Sequence, residues 1–103
     1  MSTASILRSV VNLSQSVANL LANPALFNTT TATNLLIAVE LIRGQVRELP
    51  LRFAAKADIL GRLDQITAII NSAIAAGFIS ATQLNSILEL LQLVLFKVKS
   101  FSC

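Results

Sequence analysis

Side chains able to do chemistry are few in this sequence, and their spacing is poor for it. The chain contains no histidine, which removes the usual general base, the imidazole metal ligand and the near-neutral proton switch. Asp58 and Asp64 lie six residues apart in a helical segment, so they fall on different faces and do not converge as an acid–base pair. Gly44, Gly61 and Gly77 are isolated and match neither the GxGxxG nor the GxxxxGK spacing that cradles phosphate. Cys103 is the single cysteine. One thiol makes neither an internal disulfide nor a zinc site; it stays a free thiol on the terminal tail or joins two chains in an inter-chain disulfide. The residues therefore predict a protein that is not an enzyme and carries no metal or cofactor.

The stretch Gly77-Phe78-Ile79-Ser80-Ala81 resembles the second half of the calcium loop of the EF-hand family, where glycine is followed by an aromatic, an isoleucine and a serine. In that register Ser72, Ile74 and Ala76 occupy the positions where the family uses Asp or Asn, and Gln83 stands for its bidentate glutamate. A hard cation needs a set of oxygen ligands, so no calcium site is expected. The shared feature is the helix-loop-helix junction. Ser80 and Gln83 have capping-box spacing, and Ile79 and Leu84 fit the accompanying hydrophobic staple.

On either side of that junction, and through the rest of the chain, a helical rhythm marks four segments. Residues 5–22 place Ile6, Val10, Leu13, Val17 and Leu20 at alternating steps of four and three, the spacing of a helix seam. Leu7, Val11, Ala18 and Leu21 widen it. Asn23 and Pro24 end this helix, and a link rich in threonine, read as a loop able to cap the next helix, leads to the second. Residues 33–49 repeat the steps with Leu35, Val39, Ile42, Val46 and Leu49, while Leu36, Ile37 and Leu41 lie off the seam. Gly44 inside this helix costs about 1 kcal/mol relative to alanine, which suggests close approach of another helix. Residues 52–76 put Ile59, Leu63, Ile66, Ile70 and Ala73 in one row, with Asp58 and Arg62 spaced to pair. Residues 81–99 carry Leu84, Ile87, Leu91, Val94 and Val98, and Leu88, Leu90, Leu93, Leu95 and Phe96 fill much of the rest of the circumference. The fold class predicted is all-α, a four-helix antiparallel bundle or pair of αα-hairpins over a single domain, residues 1–103, packed in an oligomer.

Composition points the same way. Of 103 residues, 54% are hydrophobic and 13% charged, against about 25% charged in an average domain. Such a chain lacks the like-charge repulsion that keeps small proteins apart. The net charge of +3 arises from eight Lys and Arg against five carboxylates; with neither Trp nor Tyr, no nucleic-acid stripe is expected. Polar residues from Ser9 onward interrupt any signal-peptide core, so synthesis in the cytoplasm without Sec export is favoured. The apolar run Leu90 to Phe96 with its flanks is short of the roughly 20 residues that span a bilayer, leaving only a membrane-surface role open.

Apolar residues beyond one stripe on three helices imply faces that a single bundle leaves uncovered. The favoured function is a structural or scaffold subunit that self-assembles, with Leu7, Val11, Leu21, Leu90, Leu93 and Phe96 as the candidate contacts between chains and Cys103 as a candidate inter-chain disulfide. The alternatives are a monomeric helical-bundle adaptor for a protein partner and a membrane-surface-active amphipathic protein. A homo-oligomer is the expected partner state.

Overall fold

Alternating steps of four and three place one row of side chains along one side of each helix, and four such rows can be buried only against each other. The structure, a computed structural model that describes residues 3–101, shows this arrangement. Its described residues form α1 (Thr3–Ala22), a 3-10 turn (Pro24–Leu26), α2 (Thr29–Arg47), α3 (Phe53–Ala76) and α4 (Ala81–Lys99), with no strand among them. Each helix packs on the next, and α4 returns to α1 in the most extensive seam. The 24 residues of α3 should measure about 36 Å at 1.5 Å per residue, close to the 39 Å long axis of a body 21 Å across. The helices therefore run along that axis, alternately up and down.

The five seam residues expected in α1, in α3 and in α4 are all buried, as are Leu35, Val39, Ile42, Val46 and Leu49. The four rows meet in a single core cluster. No polar or charged residue is buried among the described residues. One polar atom is nevertheless left covered and without a partner among them, Gln45 Oε1 at the flank of α2, an orphan acceptor of the kind that costs about 1–3 kcal/mol.

The helix ends follow from local chemistry. At the junction of α3 and α4, Gly77 adopts the left-handed conformation at φ 83° and its N–H donates to Ala73 O and Ile74 O, a role that suits glycine because it has no Cβ to clash. Ser80 and Gln83 then form the expected reciprocal box: the Gln83 N–H donates to Ser80 Oγ at 3.1 Å, and the Ser80 N–H to Gln83 Oε1 at 2.9 Å. Ile79 and Leu84 are both buried in the core cluster beside it.

Two expectations are corrected. The second helix begins at Thr29 rather than at residue 33. Asn28 and Thr31 build a second capping box there, with the Thr31 N–H on Asn28 Oδ1 at 2.9 Å and the Asn28 N–H on Thr31 Oγ1 at 2.8 Å. These two satisfied donors outweigh the poor helix propensity of the threonines. Gly44 marks no close approach within the chain, for a methyl group there would meet no neighbouring atom within 4 Å.

Both findings give measurable stability changes. Gly44→Ala should raise unfolding stability by about 0.5–1 kcal/mol, because the site is helical, exposed and open; an unchanged denaturant midpoint would show that space and propensity do not decide this position. Ser80→Ala should lower stability by about 1 kcal/mol through loss of the cap, read as a shift of the same midpoint to lower denaturant.

Candidate association surface

Several charged side chains are occupied in ties within and between helices. Arg43 on α2 donates through Nε to Glu40 at 3.1 Å and through Nη1 to Asp64 on α3. Asp58 on α3 takes the expected Arg62 at 3.5 Å and also Lys97 of α4 at 3.5 Å. Lys56 Nζ donates to the backbone carbonyl of Arg47 at 2.6 Å, so the start of α3 caps the end of α2. The hydrogen bond from Arg43 to Asp64 is the main influence holding this guanidinium above its ordinary pKa, against the opposing effect of burial. A raised folded-state pKa contributes stability that is lost only as pH climbs through that value, so the tie is constant around neutrality. Among the described residues no three His, Cys, Asp or Glu side chains gather as a metal-donor set.

Away from the charged end the surface is mostly apolar or weakly polar, and the register of each helix decides which candidates reach it. Ser16 and Asn19 of α1 border a groove shared with Thr31, Asn34 and Ala38 of α2. The opposite flank of α1, which carries Leu7, Val11, Ala18 and Leu21, therefore faces α4. Leu7 and Leu21 pack against the core there, as do Leu88 and Leu95 from α4. Val11 stands further out, at 53% exposure.

On α4 the candidates divide in the same way. Leu90 leans on the core and, with Leu93, lines an open groove against Gln65, Ala68 and Ile69 of α3. Leu93 is 47% exposed and Phe96 is 76% exposed. These two lie three residues apart and so on neighbouring turns of one outer face. Leu90, Leu93 and Phe96 thus form one patch, whereas Leu7 and Leu21 serve the seam between α1 and α4. Cys103 lies outside the described residues.

The polar side of α1 is satisfied by the helix itself. Ser9, Ser14 and Ser16 donate their hydroxyls to the carbonyls of Ser5, Val10 and Asn12 at 3.0, 2.9 and 3.2 Å, and Gln15 donates to Asn19 at 3.1 Å. Groups bonded inward in this way lose less on leaving water than free hydroxyls or charges do. Residues 9–39 include no charge at all, and residues 65–96 include only Glu89.

The structure also exposes residues outside the candidate set: Ile37 and Leu41 on α2, Phe53 at the start of α3, and Leu26, Ile74 and Phe78 around the two connections at the other end. Ile37 and Leu41 were visible as residues off the seam, four apart. Phe53 was legible only by extending the Ile59 and Leu63 row backward, which turns it outward. Leu26 and Phe78 belong to connections, where periodicity gives no signal.

The division between seam and surface on α4 is directly testable. Leu91→Lys should abolish the cooperative far-UV unfolding transition by burying an unpaired charge, while Leu93→Lys, two residues on, should keep wild-type helicity; equal loss of helix from both would refute the assigned register. Comparison with known proteins adds no kinship to this geometry: the chain matches no family model, no curated protein and no solved structure.

Proposed function

We propose that the chain is a non-enzymatic structural or scaffold subunit that self-associates through the outer face of α4 and its groove against α3. The observation that carries this reading is the patch of Leu90, Leu93 and Phe96, with Ala68 and Ile69 across the groove, outside the fully buried rows of the bundle. Fully burying a leucine or phenylalanine side chain is worth about 1.5–3 kcal/mol. A few such side chains offset a substantial part of the rigid-body and ordering cost of association.

Charge placement favours this face over others. The helical stretches that form it carry Glu89 as their one charge over residues 65–96, so copies meeting there face little like-charge repulsion. A two-fold pairing would lay the Leu93 of each copy on the groove of the other, since an isologous contact uses the same patch twice. Val11, on the neighbouring flank of α1, extends the apolar area toward the seam with α4.

The double variant Leu90→Lys/Leu93→Lys separates assembly from folding. Light scattering after size exclusion should show a smaller particle with unchanged far-UV helicity, an affinity loss of roughly 3 kcal/mol or about two orders of magnitude. A double variant with the mass of the wild-type assembly would remove this face from the account, and a wild type already monomeric would favour a helical adaptor for another protein.

A further inference from the structure

The folded chain sorts its charges lengthwise. All eight Lys and Arg fall at residue 8, within residues 43–62, or at residues 97 and 99, and four of the five carboxylates accompany them. Antiparallel packing brings these three segments to one end. The contact of Lys56 with the end of α2 and that of Lys97 with Asp58 fix the two later segments together there, and the start of α1 lies alongside them through its packing on α2 and α4. That half of the bundle holds eight cations against four carboxylates, whereas the opposite half holds Glu89 alone.

Three of the four carboxylates are engaged: Glu40 and Asp64 with Arg43, and Asp58 with Arg62 and Lys97. Arg8, Arg47 and Arg52 are exposed and have no carboxylate partner among the described residues. Beside Arg52 stands Phe53, 87% exposed, and Phe101 at the end of α4 is 40% exposed. Glu48, also exposed, is the one carboxylate among these groups, and an exposed aromatic ring beside guanidinium groups that outnumber that carboxylate suits an interface that is anionic outside and apolar beneath.

We propose that this basic end docks on an anionic lipid surface, with Arg47 and Arg52 meeting the headgroups and Phe53 entering the acyl boundary. The attachment is peripheral: no helix among the described residues is long and apolar enough to cross a membrane. Cations near a negatively charged leaflet supply attraction, and an inserted ring supplies apolar burial. Lipid fits better than nucleic acid because Phe53, although Arg52 precedes it, stands among Pro50, Leu51 and Ala54 with no row of stacking rings. Docking through Arg47, Arg52 and Phe53 uses residues other than Leu90, Leu93 and Phe96, which lie on the outer face of α4, and assembly would multiply weak contacts with a membrane.

The chain has no tryptophan, so the variant Phe53→Trp reports on this position alone. With vesicles of equal parts phosphatidylcholine and phosphatidylglycerol its emission should shift to the blue and the protein should co-sediment; with phosphatidylcholine alone it should do neither. Arg47→Glu/Arg52→Glu should weaken binding to the anionic vesicles at least tenfold, as should Phe53→Ser, each at unchanged far-UV helicity. Binding that is absent, equal for neutral and anionic vesicles, or unaffected by both variants would overturn the proposal. So would preferential binding of duplex DNA when it is mixed with the vesicles, which would assign the basic end to nucleic acid.

Discussion

The structure depends on an uninterrupted row of apolar side chains, alternating at steps of three and four, on each of four helices. Ala32 through Val46 on α2 and Leu84 through Val98 on α4 illustrate the regularity, and every member of both rows is buried. Side chains so spaced interdigitate at a shallow crossing angle. Since the rows contain no buried polar residue, the orientation of the helices rests on the connections: the capping boxes of Asn28 with Thr31 and Ser80 with Gln83, the left-handed Gly77, and Pro50. Lateral ion pairs add to this, but exposed pairs are worth at most about 1 kcal/mol each.

Once the phase of each row is set, the fate of every other residue follows. Positions adjoining the row, such as Leu7, Leu21, Leu36 and Leu95, become the shoulders of the core. Positions opposite the row, such as Ile37, Leu93 and Phe96, are left in water. A soluble bundle ordinarily fills those outer positions with Lys and Glu. Here they are filled with Ser, Asn, Gln and aliphatic side chains over one half of the molecule, and with nearly all the charge over the other. The outer face of α4 and its groove against α3 are thus suited to contact with further apolar protein surface, and the basic end to an anionic counterpart.

Much of this was legible in the sequence because periodicity is a local signal. The buried rows of α1, α3 and α4 could be read directly, and so could Gly77 and the Ser80 cap, whose chemistry lies within four residues. The start of α2 was obscured because threonine is a poor helix former while Asn28, the residue that rescues it, precedes the threonine run. Gly44 was misread as a close approach because a glycine in a helix has the same letter whether it is crowded or open. Leu7 and Leu90 could not be told from Val11 and Leu93 by spacing alone, since the choice depends on which flank a neighbouring helix covers. The lengthwise sorting of charge was invisible for a similar reason: residues 8, 47 and 97 are far apart in the chain and share an end only after it folds back three times.

The central claim is that a complete core leaves apolar faces that this protein covers with copies of itself. Sedimentation equilibrium of the wild-type chain, across roughly 1–100 micromolar in ordinary salt, tests it most directly. The account predicts a mass that is a multiple of 11.0 kDa and that rises with concentration or is already saturated. A mass of one chain throughout that range would contradict it.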